Sequence, residues 1–191
     1  MSKLRTGIGG LLCVSVFAAV GYAAAIPRPA PEFTINLPGG KTTSLSQYKG
    51  KTVALIFILT YCPHCQKIVS FLSQDQNEYG SRGFQVLASA IEDGAAGAVP
   101  GFIKKFSPPF PAGSNARPPV LDFLQHPMAD RLLMPQLVFI DRHGMIRAQY
   151  AGDAPFLDEA QADKNLRSEI EELLKEGAPA AGKGAAKPAK K

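Results

Sequence analysis

Two cysteines stand in the segment Cys62-Pro63-His64-Cys65, a spacing that can close a small disulfide if a helix begins at the first cysteine. The first thiol would then lie beside unpaired backbone N–H groups at the positive end of the helix dipole, and both favour its thiolate. The second thiol would lie one turn inside the helix, where it is more buried and keeps its proton. We therefore predict that Cys62 is a nucleophile in thiol–disulfide exchange and that Cys65 is the resolving thiol.

The two residues between the cysteines fit this interpretation. Pro63 suits the first turn of a helix, because its missing N–H is not needed there. His64 can place a positive charge beside the Cys62 sulfur, which would stabilise the reduced thiolate and make the disulfide a stronger oxidant. A surface histidine between two cysteines can also be incidental.

Two other interpretations of the cysteine pair are open to test. The pair could form half of a zinc site, but there is no second Cys-x-x-Cys pair, and His126 and His143 lie far away without ligand spacing. The pair could also be a purely structural bridge.

The flanking sequence favours a redox pair over a structural bridge. Residues 53–59 are a continuous apolar run, which predicts a central strand covered on both faces. After the cysteines, apolar residues recur at helical spacing as far as Tyr79, and Gly80 is a natural stop. A cysteine pair between a buried strand and an amphipathic helix is typical of redox motifs.

The remaining pattern predicts an α/β domain with a mixed central sheet flanked by helices. The predicted helices are a short one over 100–106, with Pro100 in its first turn, and a final amphipathic one through Leu166 and Leu174. The other predicted strands cover residues 33–37, 84–91, 137–140 and 145–150, the last two joined by a hairpin turn at 141–144.

Composition and charge limit the class of protein to which this chain can belong. The chain has 191 residues with 46% hydrophobic and 19% charged residues, which suits one globular domain with tails. The net charge of +5 comes from the ends, since two of the 21 Lys and Arg residues lie in residues 1–25 and four in 178–191. A nearly neutral body with basic ends does not indicate nucleic-acid binding.

The N-terminus indicates export. Lys3 and Arg5 precede an uncharged apolar stretch that ends in Ala23-Ala24-Ala25, as in a cleaved signal peptide over residues 1–25. An uncleaved membrane anchor is the alternative, and either one places the rest of the chain outside the cytoplasm. Cys13 lies inside this stretch, where we expect only a hydrophobic role.

The rest of the chain divides into three parts. Residues 26–32 form a Pro-rich leader, and residues 33–176 form the folded domain. Residues 177–191 are Ala, Pro, Gly and Lys, which predicts a disordered tail because large apolar residues are lacking.

The order of elements resembles a known family. The elements that carry the similarity are a strand, Tyr61 and the Cys-Pro-His-Cys segment, a helix, a strand ending in Ile91-Glu92-Asp93, and Met134-Pro135 before an apolar strand. Their order is similar to that of the TlpA-like thiol–disulfide oxidoreductases. These are exported thioredoxin-fold proteins related to the AhpC/TSA redoxins, and the resemblance covers about residues 31–175. It implies a thioredoxin-like fold with an N-terminal β-hairpin extension.

The resemblance also implies roles for residues outside the cysteine pair. Pro135 would be the cis proline that packs against the disulfide, and the Met134 peptide group and Tyr61 would contact the substrate. The implied substrates are protein thiols and disulfides, with a separate redox partner protein, for which a membrane protein is one candidate. No cofactor is expected beyond the Cys62–Cys65 disulfide itself.

This chain departs from the family in ways that affect the direction of electron flow. Tyr61 stands where the family usually has Trp, and Ile56 stands where thioredoxin has a buried acid. Ile68 stands where reducing members have a helix Glu. Such a carboxylate would help to deprotonate the resolving thiol, so its absence leaves a slow or oxidation-biased cycle open. The scaffold resembles reducing proteins whereas the Pro-His dipeptide resembles DsbA-type oxidases, and the direction of electron flow stays undecided.

A Sco-type copper chaperone is the alternative function. It shares the scaffold and binds metal through two cysteines and a distant histidine, which here would be Cys62, Cys65 and His126. Its cysteines are separated by three residues, however, whereas two separate Cys62 from Cys65.

Overall fold

An eight-stranded mixed sheet organises residues 25–176, the part of the chain that the computed structural model describes. The predicted signal segment, apart from Ala25, and the predicted tail lie outside these residues. The strands are β1 Arg28–Pro29, β2 Thr34–Leu37, β3 Lys41–Ser44, β4 Thr52–Ile58, β5 Phe84–Ala90, β6 Ala112–Ser114, β7 Gln136–Ile140 and β8 Met145–Tyr150. The helices are α1 Pro63–Tyr79, α2 Ala95–Phe106, α3 Arg117–Leu124 and α4 Ala162–Glu176.

The strand that precedes the cysteine pair lies at the centre of the sheet. The strand order is β1-β8-β7-β4-β5-β6-β2-β3, and β4 runs parallel to β5 and antiparallel to β7. Every residue of β4 is buried. Its side chains alternate between the two faces, so that Ile56 packs toward α1, α2 and α4 whereas Phe57 packs toward α3 and β2. The predicted mixed α/β architecture and the β2–β3 hairpin are therefore confirmed.

The helix around Pro100 begins earlier than the sequence predicts. The prediction placed Pro100 in the first turn of a helix over 100–106, whereas α2 begins at Ala95 and holds Pro100 in its interior. Proline cannot donate to the carbonyl four residues earlier, which here belongs to Ala96. Ala96 and Pro100 are both exposed, so water can satisfy that carbonyl and the helix tolerates the proline.

Three other elements were not predicted. The leader is part of the sheet, because β1 pairs with β8 and the buried Arg28 donates to the carbonyl of Phe123 at 3.0 Å. Strand β6 and helix α3 follow one another in the chain, and two adjacent prolines in α3 interrupt the helical periodicity of the sequence.

Among residues 25–176, no helix combines the length and apolar composition that crossing a membrane requires.

Helices α1 and α4 enclose an unusual carboxylate. Asp75 is fully buried on the apolar face of α1, and neither of its oxygens has a hydrogen-bond partner. Its nearest cation is Arg167 of α4, whose Nε lies 3.6 Å from Asp75 Oδ1 and which also pairs with the exposed Glu78. Burial raises the pKa of Asp75 to about 7 despite the attraction of Arg167.

We expect this carboxyl to make the fold less stable as pH rises. A folded-state pKa of about 7 against an unfolded value near 3.8 means that the stabilisation is complete below about pH 4 and is lost as pH rises through 7. Asp75→Asn should therefore raise the free energy of unfolding at pH 8 by about 1–3 kcal/mol and leave it little changed at pH 4. Urea unfolding at both pH values measures this, with Glu159→Gln as the exposed control. Equal effects of Asp75→Asn at the two pH values would contradict it.

Candidate active site

Cys62 stands at the N-terminal end of α1, four residues after β4 ends at Ile58. Its backbone N–H donates to the carbonyl of Leu59 at 3.0 Å, which fixes the turn between strand and helix. Its sulfur accepts a hydrogen bond from the backbone N–H of Cys65, with 3.4 Å between N and Sγ. The cap position and this donor both favour negative charge on the Cys62 sulfur.

The two thiols differ in exposure. Cys62 is partly exposed, whereas Cys65 has no exposed surface, and both are free thiols in the structure. Burial raises the pKa of the Cys65 thiol well above its ordinary value. A nucleophile must be reached by its substrate and a resolving thiol need not be, so this asymmetry suits the predicted roles.

Pro63 and His64, the two residues between the cysteines, are held in place by different contacts. Pro63 occupies the first position of α1, as predicted. The ring of His64 lies with Nε2 2.9 Å from the carbonyl oxygen of Leu157, in the loop between β8 and α4. Because a carbonyl can only accept, Nε2 carries the hydrogen.

Met134 and Pro135 lie immediately before β7. The peptide bond between them is cis, which agrees with the resemblance. Pro135 is buried, and Met134 lines a cavity of about 320 Å³ together with Cys62, Leu132 and Gly152. The structure therefore brings Met134 beside the nucleophile.

Tyr61 borders a second cavity, which shares Met134 with the first. This cavity holds about 450 Å³ and is also lined by Glu92, Asp93 and Arg117. The Tyr61 ring is 68% exposed. A partner protein approaching Cys62 would therefore meet an uncovered aromatic ring.

Sequence reasoning missed the residues that hold the turn before Cys62. The backbone N–H and the hydroxyl of Thr60 both donate to Glu92 Oε1, the first at 3.0 Å. The side-chain amide of Gln66 donates to the Thr60 carbonyl at 2.8 Å. The parallel pairing of β4 and β5 places Thr60 and Glu92 at the same sheet edge, and that pairing was the available signal.

Sequence reasoning also missed Gly152. A Cβ atom at this position would meet the backbone N, C and O atoms of Met134 closer than van der Waals contact allows. The Gly152 N–H donates to the Leu133 carbonyl at 3.2 Å, and the Gln136 side chain donates to the same carbonyl at 2.5 Å. Gly152 and Gln136 thus fix the chain that leads into the cis peptide bond.

The two positions at which related proteins carry a carboxylate lie in the apolar core. Ile56 and Ile68 are both fully buried in the core that includes Cys65. Asp75 does not replace them, because it lies ten residues after Cys65, or about 15 Å along the helix. Deprotonation of Cys65 has to proceed without these two carboxylates.

The histidines outside the motif do not join it. His126 Nδ1 lies 2.9 Å from the carbonyl of Pro127, and His143 is exposed in the β7–β8 turn. Within residues 25–176, no three His, Cys, Asp or Glu side chains are close enough together to hold a metal ion. The structure does not bring His126 together with Cys62 and Cys65, so the Sco-type alternative is not favoured.

Comparison with known proteins decides the family. Residues 27–166 match the Redoxin family, which is most of the chain. The chain belongs to the Redoxin family. The match includes most of the Pro-rich leader, in agreement with the place of β1 in the sheet.

Named relatives of this redoxin are thiol–disulfide oxidoreductases. It is 23% identical over 154 residues to thiol-disulfide oxidoreductase ResA of Bacillus thuringiensis subsp. konkukian, covering 81% of this chain and 79% of that protein. It is 31% identical over 93 residues to ResA of Bacillus subtilis, about half of each chain. A thiol:disulfide interchange protein of the thioredoxin family from Chlorobium tepidum has a similar structure, with a TM-score of 0.63, 25% identity, and coverage of 80% of this chain and 99% of that one.

These comparisons confirm the assignment to the TlpA-like thiol–disulfide oxidoreductases and the thioredoxin-like fold. They also support oxidoreductase activity for this redoxin.

Proposed function

We propose that this redoxin is an exported enzyme that exchanges disulfides with protein substrates through Cys62 and Cys65. The asymmetry of the two thiols carries the proposal: Cys62 is accessible and accepts a backbone hydrogen bond, whereas Cys65 is buried one turn behind it. The N-terminal segment of this chain, in which Lys3 and Arg5 precede an uncharged apolar stretch, supports export.

The chemistry proceeds in two exchanges. The Cys62 thiolate attacks one sulfur of a substrate disulfide, and the other substrate sulfur leaves as a thiolate that takes up a proton. Cys65 then loses its proton and attacks the Cys62 sulfur, which forms the Cys62–Cys65 disulfide and releases the second substrate thiol. The same steps in reverse oxidise a substrate dithiol, and a separate redox protein resets the pair.

Four neighbours complete the proposed site. The Met134 peptide group and the exposed Tyr61 ring contact the substrate segment that enters beside Cys62. Pro135 packs behind them. A positive charge on the His64 ring would favour the Cys62 thiolate.

A protein disulfide is the direct test of the proposed substrate class. The reduced full chain should cleave the interchain disulfides of insulin, whose free B chain precipitates and scatters light. Cys62→Ser should slow this by on the order of a hundredfold or more, because the covalent route is lost. Equal rates for the two proteins would contradict the proposal, and recovery of the full chain in the cytoplasmic rather than the envelope fraction would contradict export.

A further inference from the structure

His64 is held by a residue far from the cysteine pair. Leu157, whose carbonyl accepts the Nε2 hydrogen at 2.9 Å, follows it by 93 residues. The loop that contains Leu157 also passes the nucleophile, since Gly152 and Asp153 line the cavity beside Cys62. The direction of the His64 ring is therefore set by this loop and not only by helix α1.

The segment that presents the Leu157 carbonyl is a short helical turn, Pro155–Leu157, and it is well fixed. The Leu157 side chain is fully buried, and its N–H donates to the Ala154 carbonyl at 2.8 Å. The side-chain amide of Asn165, on α4, donates to the Phe156 carbonyl at 3.0 Å. The last residue of the turn is thus fixed by the core, and its middle residue is fixed by helix α4.

Aromatic packing joins the same turn to the sheet. The Phe156 ring stacks on Tyr150 with 3.7 Å between ring centroids and 3° between planes. Phe139 meets both rings edge-on, at 6.3 Å from Phe156 and 6.4 Å from Tyr150. Because Phe139 and Tyr150 belong to β7 and β8, the position of the turn follows the position of the central sheet.

We propose that the turn Pro155–Leu157, fixed by Asn165 and Phe156, is a positioning element that orients His64 and thereby sets the dithiol–disulfide equilibrium of Cys62 and Cys65. The proposal rests on the function of His64 proposed above. Only the reduced protein has a thiolate for the imidazolium to stabilise, so loosening the turn acts on the reduced form alone. Without the turn the ring can leave the orientation that its hydrogen bond to Leu157 imposes. Its effect on the Cys62 thiolate then weakens, and the disulfide becomes harder to reduce.

The test measures the redox equilibrium of the full chain with glutathione, using Asn165→Ala with His64 present and with His64→Gln. We expect His64→Gln to lower the equilibrium constant for reduction about tenfold, which is about 30 mV for a two-electron couple. Asn165→Ala should lower it by a smaller factor, about threefold, because loosening the turn removes only part of the effect of His64. Combining the two should give no further change beyond that of His64→Gln.

Controls separate positioning from general loosening of the fold. Lys164→Ala changes the neighbouring exposed residue of α4 and should leave the equilibrium unchanged. Phe156→Leu removes the ring stack on Tyr150. Like Asn165→Ala, it should lower the equilibrium constant for reduction only when His64 is present. Urea unfolding of each variant reports its stability separately.

The outcomes distinguish this inference from the proposal on which it rests. In one outcome His64→Gln shifts the redox equilibrium, but Asn165→Ala and Phe156→Leu either do not shift it or shift it equally when His64 is absent. The positioning role of the turn is then wrong, and the role of His64 stands. If His64→Gln causes no shift, both are wrong. If Asn165→Ala and Phe156→Leu shift the redox equilibrium only when His64 is present, the proposal is supported.

Discussion

Replacing Cys65 with serine should accumulate stable mixed disulfides with client proteins, whereas replacing Cys62 should accumulate few. Without Cys65 the first exchange still occurs at the accessible Cys62 sulfur, but no buried thiol follows to release the substrate. Without Cys62 the remaining thiol has no exposed surface, and its raised pKa keeps it protonated.

The comparison is made in a chain carrying Cys13→Ser, so that Cys62 and Cys65 are its only cysteines. Non-reducing electrophoresis of envelope extracts, followed by mass spectrometry of the shifted bands, should show adducts several-fold more abundant for Cys65→Ser. Serine at both positions gives the background. Equal trapping by the two single variants, or trapping by Cys62→Ser alone, would reverse the assignment of nucleophile and resolving thiol.

Gly152→Ala should damage both stability and exchange activity, although the change adds only one methyl group. The new Cβ would overlap the backbone of Met134, and backbone cannot turn aside as a flexible side chain can. We expect the free energy of unfolding to fall by at least about 2–3 kcal/mol, in the upper part of the range for overpacking. The displaced Met134 peptide would also no longer face the substrate beside Cys62.

Gly97→Ala is the matched control. Gly97 lies within helix α2, and a Cβ there meets no atom within 4 Å. Since alanine favours helix by up to about 1 kcal/mol over glycine, this variant should be as stable as the parent or slightly more stable. Urea unfolding and insulin reduction measure both variants, and equal behaviour of the two would show that the close approach of Gly152 to Met134 has no consequence.

The part of the site that could be predicted from sequence is local in the chain. The apolar run of β4, the cysteine spacing and the helical periodicity of α1 lie within about 30 consecutive residues. Together they placed Cys62 at a helix start and Cys65 inside the helix. The role expected of Pro135 came only from the family resemblance, since no local pattern connects residues 62 and 135.

The missed features depend on contacts between distant segments. The contact of His64 with Leu157 spans 93 residues, and that of Thr60 with Glu92 spans 32. Asp75 was missed for a different reason, because a charged residue on a helix normally faces solvent, whereas here α4 covers it. The start of α2 was misplaced because a proline is a more frequent first residue than an interior one.

The central claim is that Cys62 and Cys65 form one reversible redox couple, and a thiol titration tests it most directly. The full chain carrying Cys13→Ser is equilibrated in glutathione buffers of graded composition, quenched with acid, and analysed by mass spectrometry of its peptides. Our account predicts a single two-electron transition in which the oxidised species is the Cys62–Cys65 disulfide, fully recovered as dithiol on return to reducing buffer. Two separate glutathione adducts on the cysteines, without an intramolecular disulfide at any buffer composition, would contradict it.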